Sequence, residues 1–151
     1  MKTMMMNYRM FSLVAITLAL FAANAPAFAA VETEDDPHTV QMIKCANVCA
    51  DCQVQCDTCF SYCGSLVNDG KKEHFKCMNL CADCAECCKL CATLCARQSS
   101  LSGIAADCCA KCCDECAAAC EKLPDDKQMA ACAKSCRNCA KECREMVKLM
   151  K

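Results

Sequence analysis

Inward and outward positions alternate along this chain with the period of a helix, but the inward ones carry cysteine where leucine would ordinarily stand. Thiols recur at intervals of four and three residues in four runs. The first is Cys45, Cys49, Cys52, Cys56, Cys59 and Cys63, and the second is Cys77, Cys81, Cys84, Cys88, Cys91 and Cys95. Cys109, Cys113, Cys116 and Cys120 form the third, and Cys132, Cys136, Cys139 and Cys143 the fourth. A 4-3-4-3 spacing is that of a helix burying one face against partner helices. Many of the remaining positions are alanine, which favours helix and allows close approach. Charges of both signs lie between the cysteines, as in Lys134, Arg137, Lys141, Glu142 and Arg144, the pattern of a solvated helix surface.

Breakers divide the runs. Asp36-Pro37 ends an acidic lead, and its proline suits a first helical turn. The pattern predicts a first helix from about His38 to Tyr62 or Cys63, stopped by Gly64 and the Asn68-Asp69-Gly70 turn. A second helix is predicted from about Lys71 to Arg97, a third from about Ile104 to Lys122 before Leu123-Pro124-Asp125, and a fourth from there to the C-terminus. Helices of about 20 to 27 residues joined by short loops make an all-α, antiparallel up-down-up-down four-helix bundle with a cysteine-lined core. It occupies residues 38–151.

Residues 1–29 read as a secretory signal. Lys2 and Arg9 supply positive charge, Met10 to Ala23 an apolar stretch, and Ala27-Phe28-Ala29 a small-x-small cleavage site. The stretch is short for a membrane span of roughly 20 residues. Residues 30–37 form a flexible lead. No Arg-Arg pair precedes the apolar stretch, which favours export of an unfolded chain by the general secretory route. The expectation is an exported protein, periplasmic or secreted, that acquires any metal outside the cytoplasm. The chain has 17 basic and 18 acidic residues, and nothing in their distribution points to nucleic acid.

A disulfide scaffold is the ordinary use of many cysteines in an exported protein. Here the number, 23, is odd, and the spacing is helical where such scaffolds are rich in loops. Side chains at i and i+4 have Cβ atoms about 5–6 Å apart, against about 3.8 Å for a disulfide. Treating each thiol as a small buried apolar group explains one or two cysteines, not a whole stripe on each of four helices. Metal ligation explains all of them.

Charge selects the metal. Thiolates are the binding form, and a core of more than about 20 of them needs an equal positive charge. Soft thiolate sites take Cu(I), zinc or iron–sulfur clusters, and Cu(I) alone brings one charge per thiolate and accepts two near-linear sulfurs. With bonds of about 2.2–2.3 Å, two such sulfurs lie about 4.5 Å apart, a span suited to one helical turn. Neutrality sets a loading of the order of 20 Cu(I) per chain. Zinc, the competitor, wants four ligands at tetrahedral corners and leaves an excess charge of about −2 per closed site. Cys81, Cys84, Cys87 and Cys91 have the C-x2-C-x2-C-x3-C spacing of bacterial ferredoxins, but Ala92 follows in place of the usual proline. The alternative function is therefore a secreted zinc-thiolate or disulfide-linked structural or redox protein.

The repeated C-x3-C-x2-C units, such as Cys45-x3-Cys49-x2-Cys52, run through all four predicted helices. Over about residues 38–150 the chain resembles the copper storage proteins, cysteine-rich four-helix bundles that hold many Cu(I) ions along their core. The resemblance implies storage of copper for copper-requiring enzymes, delivery to such an enzyme or a copper chaperone, and a homo-oligomer of bundles, a tetramer. This chain departs from the pattern in Cys87, Cys108 and Cys112, which stand beside the main stripes and are further candidate metal ligands or flank the core.

The register continues past the thiols. Met42 precedes Cys45, and Met146 and Met150 follow Cys143, so antiparallel helices gather these methionines at one mouth with His38. They are candidates for the route by which metal enters, since thioethers bind Cu(I) without deprotonation; methionine also fills gaps at bundle ends. His74 and Met129 hold the same register at the other mouth, where His74 reads as a solvated helix-end residue. No nucleophile is placed with an acid–base pair, and the C-x-x-C pairs lie mid-helix where a thiol oxidoreductase carries one at a helix N-terminus. The sequence predicts no enzyme.

Overall fold

A computed structural model describes residues 36–150. The signal and most of the lead lie outside the described residues. Among those described, no helix is long and apolar enough to cross a membrane. There are four α-helices: α1, Pro37–Asn68; α2, Phe75–Ala96; α3, Ser102–Cys120; and α4, Lys127–Leu149. A 3₁₀ turn, Lys72–His74, leads into α2.

The first helix is longer than its glycine predicts. It runs 32 residues, through Gly64 to Asn68, because one glycine in a helix costs only about 1 kcal/mol against alanine. The stop comes at Gly70, whose φ of 89° is left-handed. There Lys71 N–H reaches Leu66 C=O at 2.9 Å and Gly70 N–H reaches Val67 C=O at 3.0 Å, the paired bonds of a Schellman closure. The end of α2 closes the same way, with Ser99 N–H on Leu94 C=O and Gln98 N–H on Cys95 C=O, each at 3.0 Å. Here the left-handed position is Gln98, at φ 52°. The fourth helix starts at Asp126, whose carboxylate accepts from Gln128 N–H at 2.9 Å and Met129 N–H at 3.2 Å. That satisfies two of the donors a helix start leaves open.

Each helix packs on two neighbours, α1 on α2 and α4, α3 on α2 and α4, and the two hairpins α1–α2 and α3–α4 pack most extensively. Cys45, early in α1, lies beside Cys143, late in α4, while Cys63 lies beside Met129, which fixes the antiparallel sense. Charged pairs tie the outer seams. Arg137 of α4 pairs with Asp114 at 2.9 Å and Glu121 at 2.7 Å on α3, and Arg144 also pairs with Asp114. Lys44 of α1 meets Glu142 of α4 at 2.8 Å.

Cysteine, alanine and three methionines make up the buried apolar core among the described residues. Val48, Leu80, Leu94, Leu123 and Val147 pack against its edge and are only partly buried. Small side chains bring the four helices close, and sulfur fills the axis between them.

Candidate metal centre

All 23 cysteines are free thiols; twenty are buried, Cys87 and Cys112 are half-buried, and Cys108 is exposed. The twenty buried ones are the stripe positions read from the sequence, each at 0–2% exposure. Their sulfurs meet across adjacent helices, as in Cys84–Cys113 at 3.5 Å, Cys49–Cys143 at 3.6 Å and Cys81–Cys116 at 3.6 Å. They also meet across the diagonals, where Cys81–Cys132 is 3.8 Å, Cys88–Cys139 is 3.9 Å and Cys49–Cys109 is 4.0 Å. Thiols one turn apart on one helix, such as Cys91–Cys95 and Cys109–Cys113, stand 3.9 Å and 4.0 Å apart. Modest rotation of their side chains reaches the span of about 4.5 Å that a two-coordinate Cu(I) needs.

Groups of four sulfurs converge along the axis. Cys45, Cys49, Cys91 and Cys143 lie mutually within 4.8 Å, as do Cys49, Cys109, Cys139 and Cys143. Cys52, Cys56, Cys84 and Cys136 form another such group, and Cys56, Cys116, Cys132 and Cys136 a fourth. These groups overlap. Cys49 and Cys143 belong to the first two and Cys56 and Cys136 to the last two, so they cannot all be closed tetrahedral sites at once. A chain of overlapping fours suits ions that share bridging thiolates along the axis. The ferredoxin-like set is not assembled: Cys81, Cys84 and Cys91 face the core, while Cys87 lies outside it.

Among the described residues the buried polar or charged side chains are His74, Ser102 and Glu142. His74 and Ser102 sit near the ends of the cysteine stripe, and Glu142 is already paired with Lys44. Among the described residues no lysine or arginine is buried on the axis to offset a thiolate there, and unpaired buried charge is costly. The thiols divide the protons among themselves. Hydrogen bonding with Cys143, then with Cys49, holds the Cys45 thiol down to about 5, and Cys120 does most to hold Cys116 down to about 6. Cys49, bonded chiefly to Cys109, and Cys81, bonded chiefly to Cys116, are pushed up. Burial lifts Cys63 to about 12. Ionisation of Cys45 and Cys116 is thus favoured by thiol neighbours that donate to them, and metal binding must displace the protons of the thiols it recruits.

At one end Met42 and Met146 are buried at 2% and 0% exposure over this axis. Met150 is half-buried, with Gly103 of α3 against its sulfur, and His38 is half-buried in the first turn of α1. At the other end Met129 is fully buried, its sulfur 3.9 Å from both Cys59 and Cys63 and 3.4 Å from Cys77. His74 departs from the sequence expectation of a solvated residue. It is 6% exposed, its Nδ1 has no hydrogen bond, and its Nε2 lies 3.8 Å from Asp126. The physical reason is the 3₁₀ turn, which tucks residue 74 under the start of α2 and against the α3–α4 connection. Ser102, whose buried Oγ is also unpartnered, was not singled out from the sequence. Its signal was there, seven residues ahead of Cys109 and in register with it.

Comparison with known proteins gives the geometry its relatives. No curated protein matches. A solved structure, "Cu(I)-bound Copper Storage Protein BsCsp3", is similar at 32% identity over 69% of this chain and 95% of that one, with a TM-score of 0.63. The family model described as "Copper storage protein" matches residues 29–148, a span that contains every cysteine of the sulfur-lined bundle. The chain belongs to the copper storage protein family.

Proposed function

We propose that this protein stores Cu(I), many ions per chain, on the thiolates of Cys45 to Cys63, Cys77 to Cys95, Cys109 to Cys120 and Cys132 to Cys143 that line its axis. One observation carries the reading: twenty buried thiols form a continuous sulfur network with no protein cation inside it. One monovalent soft cation per thiolate neutralises that network, which divalent zinc in closed four-thiolate sites does not. Family membership supports copper as the cargo, and the similar solved structure is Cu(I)-bound.

Storage proceeds by exchange of protons for copper. An arriving ion meets a thiol whose neighbours favour its ionisation, Cys45 near one mouth or Cys116 deeper in, and recruits a second from a neighbour that gives up its proton. Bridging thiolates then extend the occupied zone along the axis. We place this activity outside the cytoplasm on the strength of residues 1–29, with a copper-requiring enzyme or copper chaperone as recipient and a homo-oligomer as the working form. His38, Met42, Met146 and Met150 form the proposed route in.

Anaerobic titration of the reduced chain with Cu(I) tests the core of the proposal. Saturation near the order of 20 ions per chain is expected, with affinity falling as the solution is acidified because thiol protons must leave. Saturation at a few ions would overturn it.

A further inference from the structure

Three thiols take no part in the axial network. Cys87, Cys108 and Cys112 lie on the outer side of the α2–α3 seam, and each is followed in sequence by a thiol of the core: Cys88, Cys109 and Cys113. Residues adjacent in a helix point about 100° apart, so these pairs put one sulfur inside and one outside the same wall. The inner sulfurs meet, Cys88–Cys113 at 3.7 Å and Cys88–Cys109 at 3.6 Å. The outer ones do so as well. Cys87 and Cys112 bring their sulfurs to 3.0 Å across the seam. Cys108 stands one turn before Cys112 on the same face of α3.

We infer that Cys87, Cys108 and Cys112 form a second, external Cu(I) site of three thiolates that exchanges copper with outside ligands without the bundle opening. This rests on the reading of the protein as a Cu(I) store. Two thiols at 3.0 Å alone fit a disulfide as well as a metal; the third thiol, exposed and one turn away, favours a trigonal metal site. Three sulfurs about a Cu(I) stand about 3.9 Å apart with bonds of about 2.2–2.3 Å. The Cys87–Cys112 separation reaches that by side-chain rotation at a half-open surface. The net charge of about −2 on such a site, prohibitive on the buried axis, is tolerated at a surface where Cys108 is exposed to water. An incoming thiolate or chelator can add to copper held there directly, while ions on the buried axis must wait for a mouth to open.

The test loads the full chain with Cu(I) anaerobically, challenges it with excess bathocuproine disulfonate, and compares it with C87S/C108S/C112S, whose helix content is checked by circular dichroism. The wild type should release about one Cu(I) per chain in a fast phase. The triple variant should lack that phase and release the remainder at the wild-type slow rate. Iodoacetamide should label Cys108 rapidly in the reduced apo chain and slowly in the loaded one. An unchanged fast phase in the variant, equal labelling of Cys108 with and without copper, or a Cys87–Cys112 disulfide that persists in the reduced, loaded chain overturns the external site. Failure of the storage reading looks different: wild type and variant would both saturate at a few ions.

Discussion

Where α1 ends and α4 begins, Met129 is held on every side. The hydroxyl of Tyr62 donates to Asp126 at 2.9 Å, Asp126 caps α4, and three thiols of α1 and α2 touch the Met129 sulfur. A cleft of about 400 Å³ lined by His74, Pro124 and Asp126 lies outside this brace. At the opposite end Met42 and Met146 are just as buried, but their surroundings are looser. Met150 is half-exposed, and the neighbouring α2–α3 connection turns on Gln98 in a left-handed conformation that non-glycine residues adopt at a cost. Thioethers thus close both ends of the axis, one inside a hydrogen-bonded brace and one beside a partly exposed methionine. Local opening is drawn from the less tightly bonded parts of a fold, and the proposed entry by way of Met42 and Met146 puts that difference to the test.

Removing the plug at the braced end should have the largest effect on stability. Met129→Ala leaves a cavity among Cys59, Cys63 and Cys77 and should cost about 2–5 kcal/mol in denaturant unfolding of the reduced apo chain. A cost below about 1 kcal/mol would mean that this end collapses freely and the contrast between ends is unfounded. Replacing Met42, Met146 and Met150 together by leucine keeps volume and should cost less than about 1.5 kcal/mol per site. Its signature is kinetic: Cu(I) uptake and release, followed by stopped flow, slow while total capacity stays nearly unchanged. Unchanged rates would show that these methionines only pack, or that copper passes the other end.

A smaller effect, dependent on pH, concerns the clamp beside the Met42–Met146 end. Lys44, the largest influence, and Gln41 hold the Glu142 carboxyl below its ordinary value of 4.5. Because the folded value is depressed, the stabilisation is complete above the unfolded value and is lost as pH falls through the folded one. Glu142→Gln should therefore lower stability by about 1 kcal/mol at pH 7, discounted because Lys44 is more than half exposed, and by progressively less below pH 4.5. A difference that grows on acidification would contradict the assignment. The least change is expected from Gln98→Gly, which relieves the left-handed turn and should stabilise by about 0.5–1 kcal/mol in thermal unfolding. No gain there would mean the turn is not strained.

The four-helix architecture was legible because the cysteines that keep the 4-3 spacing mark the inward register of each helix. All twenty stripe positions are where the 4-3 spacing puts them. What the spacing could not reveal depends on contacts between helices. Gly64 was read as a stop, yet the helix passes through it because Cys63 before it and Leu66 and Val67 after it are sheltered by packing. His74 was read as solvated because its burial comes from Asp126 and the α3–α4 connection, far away in sequence. Cys87, Cys108 and Cys112 were visibly off the stripe, but that they meet one another required two helices in register.

The alternation of four and three has a hereditary consequence. A single residue inserted or deleted within α2 would turn every later position by about 100°, swinging Cys84, Cys88, Cys91 and Cys95 out of the axis together and carrying outer-face side chains inward. A substitution on the outer face disturbs one position, and a change of length in the Gln98–Leu101 connection disturbs none of the stripe. Lineages of this protein should therefore vary freely in loop length and surface charge, while the count of residues between the first and last thiol of each helix stays frozen.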